Sequence, residues 1–270
     1  MDIAEGTTLD RRWTLRRLIA RTAQASLYQA NHAFLDRLAS IVIGQPEDRE
    51  LVIREAKLRD QTFHPGVLGV LDVADTREGV PYLVSAPLTG RSLDGLLLSR
   101  GALPVEEAVR VAIAIGEALA HVHGRGIAHA ALSPAGVLID HDRAMLLDLG
   151  VFPTPMSSLV GPLASIPYTA PERLRGDAAP SPQTDVYALC AMLAEMLTGD
   201  PPADWPPASR EFPDRIANVV DRGLDIVGRR FETIDAVLGA LQEAKSIEPL
   251  PPSVAPPPKR AFPRVSYVTA

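Results

Sequence analysis

The stretch that decides the fold of this chain is HAALSPAGVLI, at residues 129–139. It is followed by DLG at 148–150, by APE at 170–172 and by DVY at 185–187. Between the first two motifs, four polar residues separate two apolar runs, a pattern typical of a β-hairpin. Short motifs are weak signals one at a time, but four of them in a fixed order constrain a fold strongly.

The residues before this stretch favour strands. Short β-prone runs with turn-type residues between them occupy 15–19, 26–30, 38–43, 66–73 and 81–85. One helical segment, at 48–61, interrupts them. The first ninety residues are therefore predicted to form a β-rich unit that carries one helix.

The residues around and after the stretch favour helices. From Pro104, apolar residues recur at spacings of three and four up to Val122, which predicts an amphipathic helix. The segment 186–197 is apolar on nearly all faces and ends at Thr198-Gly199, so it predicts a central buried helix. A last helix is predicted at 234–244. Beyond it, seven prolines between residues 249 and 263 predict an extended linker.

Composition limits the classes of function. The chain has 270 residues, 46% of them hydrophobic, which is enough for a large core. A net charge of -6 gives no basic excess, so nucleic acid is not expected as a partner. The most apolar windows are short and contain a glutamate, so no membrane segment is expected. The single cysteine, Cys190, and the absence of a signal peptide favour a reducing, cytoplasmic setting.

In this order and spacing, the motifs resemble a bacterial Ser/Thr protein kinase of the eukaryotic-like type, from about Trp13 to Leu241. The resemblance implies an α+β, two-lobed protein kinase-like fold with a small β-rich N-lobe and a larger helical C-lobe. It divides the chain into an N-terminal extension at 1–12, the N-lobe at 13–88, the C-lobe at 89–245 and a proline-rich tail or linker at 246–270. Fold and activity are separate questions.

The resemblance implies a degenerate nucleotide site. Ala20, Thr22 and Ala25 stand where the family has the glycines that let backbone amides approach phosphates. Ile41 stands at the position of the strand lysine that neutralises phosphate charge. Ala39 and Leu138 match the positions that sandwich the adenine, so a slot is expected that is collapsed, filled by side chains, or occupied by an unknown ligand.

The resemblance also implies a degenerate catalytic loop. The family uses an aspartate, a lysine and an asparagine there, and this chain has Ala131, Ser133 and Gly136. Asp148, at the magnesium-binding position, is the one active-site carboxylate left, and alone it is expected to bind metal weakly. No residue is therefore predicted to be catalytic, and no resident metal is predicted.

Residues that support the architecture of the family are present. Glu172 of the APE motif is expected to pair with Arg230, and Asp185 to accept hydrogen bonds from the catalytic loop. His129 is expected to have a structural role. Glu55 matches the glutamate that pairs with the strand lysine; without that lysine it is expected to face solvent or to pair with an arginine such as Arg54 or Arg59, and the solvent-facing alternative is favoured.

Three hypotheses of function follow. The leading one is a catalytically inactive pseudokinase that acts as a regulatory scaffold without a cofactor and binds proteins such as a kinase, a phospho-binding domain or a second copy of itself. The alternative is an atypical Ser/Thr kinase or other nucleotide-dependent transferase that uses ATP and magnesium through Asp148. A conventional active kinase would require the alignment to be wrong at several sites at once.

Overall fold

The N-lobe is built on one antiparallel sheet. The computed structural model of this chain describes residues 3–129, 131–141, 143–158, 166–202 and 212–246. Its first sheet has six strands in the order β1-β2-β3-β4-β6-β5. These are β1 (Thr8–Leu9), β2 (Trp13–Arg21), β3 (Ser26–His32), β4 (Leu38–Ile43), β5 (Val70–Asp75) and β6 (Pro81–Ser85).

One helix, α1 (Arg49–Gln61), packs beside this sheet, and the two sheet faces have different cores. The inner cluster joins the sheet to α1 and the cleft; it consists of Ala20, Ala25, Leu27, Val42, Val52, Ala56, Leu83 and Phe152. The outer cluster contains Leu9, Trp13, Leu15, Tyr28, Ala30, Ala39, Ile41, Ile43, Val80, Tyr82 and Val84. Neighbouring residues of a strand fall into different clusters because side chains alternate between the faces.

The N-terminal residues belong to this lobe. Strand β1 pairs with β2, and Leu9 is buried in the outer cluster. The Tyr28 hydroxyl donates to the Ile3 carbonyl at 2.6 Å. The segment that was predicted as an extension at 1–12 therefore contributes, from residue 3, to the N-lobe sheet.

The C-lobe is helical around one continuous core. A three-stranded sheet, β7 (Arg91–Ser92), β8 (Val137–Asp140) and β9 (Arg143–Leu146), faces the cleft. The helices are α2 (Leu93–Arg100), α3 (Val105–His123), α4 (Pro155–Ser158), α5 (Pro171–Leu174), α6 (Pro182–Thr198), α7 (Asp214–Leu224) and α8 (Ile234–Ser246). The predicted hairpin is confirmed, with Val137 opposite Leu146.

Helix α6 is the centre of the C-lobe, as its all-round apolar pattern predicts. It begins with a capping box between Ser181 and Thr184, and it ends at Gly199, whose φ of 76° is left-handed. It contacts α3, α7 and α8. Gly223 of α7 lies so close that a Cβ atom there would be 2.1 Å from Cys190 Sγ of α6, so only glycine permits this approach.

Four helices were not predicted: the single-turn helices α4 and α5, and the longer α2 and α7. Helix α2 buries Leu93, Leu96 and Leu97, and α7 buries Ile216, Val219 and Val220, so each has a short apolar period at helical spacing that the sequence prediction missed. No helix among the described residues is long and apolar enough to span a membrane. The predicted tail lies, from residue 247, outside the described part of the chain, and the lobe boundaries stay predictions.

Candidate functional site

Asp148 lies at the floor of the cleft, two residues after β9. It is almost completely buried. Its Oδ1 accepts a hydrogen bond from the Gly150 amide at 3.1 Å, and its Oδ2 accepts one from the Thr154 amide at 2.8 Å. Each carboxylate oxygen has two acceptor sites, so these two bonds use one site on each oxygen.

Glu55 of α1 is buried beside Asp148, and the expectation that it faces solvent is wrong. Its Oε1 accepts from the Leu149 amide at 2.7 Å, and its Oε2 accepts from the amides of Val151 and Phe152 at 3.2 and 3.3 Å. Burial, and then the charge of Asp148, raises the pKa of Glu55. The glutamate therefore binds the backbone that follows Asp148, which no exposed carboxylate would do.

Arg59 lies one helical turn after Glu55 and is also buried, at 2% exposure. Its Nε donates to the Leu68 carbonyl at 2.9 Å, and its Nη2 donates to Ser85 Oγ at 2.8 Å. Burial lowers its pKa, while the charges of Glu55 and Asp148 act to raise it. A buried cation thus stands among buried carboxylates on the cleft side of α1.

Strand β4 turns Val42, rather than Ile41, toward α1. Val42 belongs to the inner cluster together with Val52 and Ala56, the two helix residues that bracket Glu55. Ile41 belongs to the outer cluster on the opposite face. The assignment of Ile41 to the lysine position is therefore wrong by one residue, because a shift of one residue in a strand exchanges its two faces.

The same shift applies to the predicted adenine contact. Ser40 accepts a hydrogen bond through its Oγ from the Leu88 amide at 3.0 Å, at the connection between the lobes. Ala39 belongs to the outer cluster and does not face the cleft. Ser40 and Val42 are the inner-face residues of β4, and neither carries a charge, so the strand supplies no cation on this side.

The turn between β2 and β3 is closed on itself. The Thr22 amide donates to the Ala25 carbonyl at 2.9 Å. Thr22 Oγ1 accepts from the amides of Gln24 and Ala25 at 3.3 and 3.1 Å. Ala20 and Ala25 are buried in the inner cluster. These amides already have acceptors inside the turn, so this arrangement leaves them unavailable to phosphates.

The slot expected to hold adenine contains a side chain of the protein. Met156 of α4 packs against the inner cluster, which includes Leu27. It also packs against a floor cluster formed by Leu68, Leu138 and Leu147. Helix α4 contacts β2, β3 and the turn at 134–136. Of the three alternatives for the slot, the structure therefore has the one in which side chains fill it.

The catalytic loop borders a separate cavity of about 230 Å³. Ala131 and Asp185 both line it, together with Thr169 and Arg173. Ser133 and Gly136 are buried and do not line it. Asp185 is the carboxylate that lies with Ala131 in this cavity.

Asp185 also fixes the backbone of the catalytic loop. Its Oδ2 accepts from the His129 amide at 2.7 Å and is 2.8 Å from His123 Nε2. The His129 ring is buried, and neither of its nitrogens has a hydrogen-bond partner in the part of the chain that the structure describes. This environment is that of a core residue. Among the described residues, no cluster of three side chains suits a metal ion.

The ion pair expected below the cleft is present. Arg230 Nη1 donates to Glu172 Oε1 at 2.7 Å, and Nη2 donates to Oε2 at 3.3 Å. Both side chains are buried. Burial by itself would raise the pKa of Glu172, but the hydrogen bonds and charge of Arg230, together with a backbone hydrogen bond and the charge of Arg175, outweigh it and lower that pKa.

Sequence reasoning missed two residues that matter in the cleft. Arg59 was considered only as a partner for a surface glutamate, although its position four residues after Glu55 puts both on one helix face. Met156 had no motif of its own. An apolar residue among prolines in the segment after Asp148 was its one visible signal.

The chain matches the family described as "Protein kinase domain" over residues 41–224, more than half of its length. It is 30% identical over 210 residues to the serine/threonine-protein kinase PrkC of Bacillus subtilis (strain 168), an alignment that covers 74% of this chain and 32% of PrkC. This chain thus spans about a third of the length of the curated relatives it matches.

Two solved structures are similar to this chain. The structure described as "PpkA-294 apo form" has a TM-score of 0.74 at 20% identity and covers 89% of this chain and 99% of that one. Rad53 1-466 in complex with AMP-PNP has a TM-score of 0.69 at 18% identity, covering 83% and 63%. These likenesses concern the fold, and they confirm the predicted two-lobed α+β architecture.

Two predictions from the sequence are wrong. The prediction of a non-enzyme is contradicted by the family match and by relatives that are named serine/threonine-protein kinases. The prediction that no cofactor is used is contradicted by the same family match and by the same kinase relatives. Because Ala131, Ser133 and Gly136 replace the family's aspartate, lysine and asparagine, any activity of this chain has to proceed without those three side chains.

Proposed function

This chain belongs to the protein kinase domain family, and from that premise we propose that it is an atypical ATP-dependent Ser/Thr phosphotransferase that holds magnesium through Asp148. The observation that carries the proposal is the buried Asp148 carboxylate, at the family's magnesium position and next to Glu55. Two carboxylates in a buried site repel one another, and a bound cation relieves that repulsion.

The residues fit a magnesium ion that arrives with a nucleotide. Magnesium is usually held by one or two carboxylates together with substrate phosphates, and it keeps several waters. The amides of Gly150 and Thr154 orient the Asp148 carboxylate and use one acceptor site on each of its oxygens. Bound magnesium and ATP would supply the phosphoryl group and neutralise its charge.

The residues fit the adenine only after a local movement. Leu27 and Leu138 offer apolar surfaces above and below a flat ring, and Ser40 ties β4 to the connection between the lobes. Met156 occupies the space between these surfaces. Nucleotide binding therefore requires α4 to withdraw, and the binding energy has to exceed the cost of exposing Met156.

Asp185 is the proposed acceptor of the substrate proton. It shares a cavity with Ala131, and its hydrogen bond with His123 gives a polar path away from that cavity. General base catalysis contributes roughly 10²–10⁴-fold, and a base in a displaced position forfeits part of that factor. Turnover is accordingly expected to lie well below the ~1–100 s⁻¹ of ordinary protein kinases.

Protein substrates carrying serine or threonine follow from the kinase relatives, as does an interaction with other proteins. Arg173 lines the same cavity as Asp185, which favours an acidic residue near the acceptor hydroxyl. This part of the proposal concerns the kinase-like unit, because the chain spans about a third of the relatives' length.

The test is a thermal-shift titration with ATP and ADP, with and without magnesium. We expect a magnesium-dependent rise in the unfolding midpoint, since a ligand at 100 times its dissociation constant stabilises by about 2.7 kcal/mol. Asp148→Asn should abolish the magnesium dependence, and Asp60→Asn, an exposed carboxylate on α1, is the matched control.

Radiolabel transfer from ATP to a mixed Ser/Thr peptide library then tests the chemistry. Label transfer that disappears in Asp148→Asn and falls strongly in Asp185→Asn supports the proposal. The proposal is overturned if neither the wild type nor a variant with a shortened residue 156 binds a nucleotide at millimolar concentration.

A further inference from the structure

The buried Arg59 has one guanidinium nitrogen without a partner. Its Nε and Nη2 donate to the Leu68 carbonyl and Ser85 Oγ, whereas Nη1 is buried and makes no hydrogen bond to any described residue. A buried charge is costly unless other charges and hydrogen bonds compensate it. The Leu68 carbonyl and Ser85 Oγ are neutral, so they compensate only a small part of the free energy that burying the Arg59 charge costs.

The compensation comes from two carboxylates. The charges of Glu55 and Asp148 both act favourably on the Arg59 cation. In the other direction, Arg59 opposes the effect of burial on Glu55. The three groups form a buried charge cluster with two negative members and one positive member, which is short of one further positive charge.

The strand that supplies a cation at this place in the family contributes none here. The inner-face residues of β4 are Ser40 and Val42. Val42 packs with Val52 and Ala56, so a long side chain at position 42 would reach the carboxylate between them, Glu55. The positive charge of this cluster therefore originates on α1 and not on the sheet.

We propose that Arg59 is a positioning residue that supplies from α1 the positive charge that β4 lacks and holds the carboxylates of Glu55 and Asp148 in place. The nucleotide-related part of this role rests on the proposed function, because Asp148 is the group that Arg59 prepares for magnesium. The charge balance of the unliganded cleft does not depend on any nucleotide.

A plain packing role for Arg59 makes a different prediction. If the side chain served only to fill the space between α1 and Ser85, a neutral residue of similar length would replace it. If its charge is what counts, a charge introduced from another direction would restore what is lost. Moving the charge from α1 to β4 separates the two.

The experiment compares Arg59→Met with two double variants, Arg59→Met/Val42→Lys and Arg59→Met/Val42→Met. Methionine keeps the length of the arginine stem without its charge, and the second double variant adds the same bulk at position 42 without a charge. Thermal unfolding is measured for each without nucleotide, and the dissociation constant of magnesium-ADP is measured by calorimetry.

We expect Arg59→Met to lower the unfolding midpoint by several degrees, as one uncompensated buried group does in a domain of this size. The double variant with Val42→Lys should recover at least half of that loss, and the double variant with Val42→Met should recover none. Magnesium-ADP binding should weaken roughly tenfold in Arg59→Met and return to within about threefold with the relocated charge.

Two results would overturn the inference: an Arg59→Met protein that melts like the wild type, or equal recovery by the lysine and methionine double variants. If the unliganded proteins follow the expected order while no variant binds magnesium-ADP, the proposed function fails and the role of Arg59 stands. If the wild type binds magnesium-ADP and the relocated charge restores nothing, the proposed function stands and the role of Arg59 fails.

Discussion

Buried carboxylates in this chain are stabilised in different ways. Glu172 has a two-point ion pair with Arg230, which leaves little of its charge uncompensated. Glu55 relies mainly on three backbone amides, and its pKa is raised. A fully paired carboxylate adds stability to the fold, whereas one that is partly paired remains available to interact with a cation.

The first prediction concerns the pH dependence of stability. The pKa of Glu172 is lowered in the folded chain, so the unfolded state binds more protons to this group as the pH falls. The stability that it contributes is fully present above its unfolded value of 4.5 and is lost as the pH falls through the lower folded value.

Glu172→Gln should therefore destabilise the protein at pH 7 by about 3–5 kcal/mol, since it leaves the Arg230 charge buried and unpaired. The difference in unfolding free energy from wild type should shrink as the pH falls below 4.5. Urea unfolding at pH 7 and at lower pH measures both. Asp177→Asn, at an exposed pair, is the control, and a difference independent of pH would contradict the expectation.

At the scale of the elements, the short helix α4 contacts both lobes at the cleft. Four residues, Pro155–Ser158, contact the N-lobe strands and the catalytic-loop turn together. The amide of Thr154, immediately before the helix, donates to Asp148. The segment thus fills the proposed adenine slot and donates a hydrogen bond to Asp148, the proposed magnesium ligand, so one movement would open both.

Shortening residue 156 should strengthen nucleotide binding. Met156→Ala removes the side chain that competes with the adenine, and burial of a methionine is worth about 1.5–3 kcal/mol. We expect the dissociation constant of magnesium-ATP to fall by up to about tenfold. Leu98→Ala, at a residue that is 84% exposed, should leave binding unchanged. Weaker binding in Met156→Ala would exclude competition at this position.

The sequence predicts elements well and the faces of those elements less well. The motif order and the apolar periods identify the β8-β9 hairpin and the central helix α6, because both depend on local patterns. Strand β4 is apolar on both faces, so no alternation distinguishes Ile41 from Val42. The contacts of Val42 with α1 and of Ser40 with Leu88 identify the face of β4 that points to the cleft, and these partners lie outside the strand itself.

At the scale of the whole molecule, the limits of prediction have one cause. The burial of Glu55 and Arg59 depends on the surfaces that the two lobes bring to α1, and a single sequence read by local pattern treats both residues as ordinary charged positions of a helix. The replacement of catalytic residues was readable from motifs. The charge balance that results from this replacement could not be predicted from those motifs, because the remaining charges, on Glu55 and Arg59, lie on α1.

The close contact between α6 and α7 gives the molecule an internal reporter of opening. Cys190 is the chain's single thiol; it is completely buried against Gly223, and burial raises its pKa to about 12. A thiol without access or thiolate character does not react with an alkylating reagent until the helices separate. The rate of alkylation therefore measures how often the C-lobe opens.

We expect iodoacetamide to modify the native protein at a rate proportional to the unfolded fraction, as followed by mass spectrometry alongside circular dichroism. Saturating magnesium-ADP should slow labelling in proportion to its stabilisation, and Gly223→Ala should accelerate it. Labelling of the unliganded protein as fast as that of a free thiol would contradict the burial. The labelling rate of Cys190, a residue with no part in the proposed chemistry, would then report how strongly a ligand in the cleft stabilises the contact between α6 and α7.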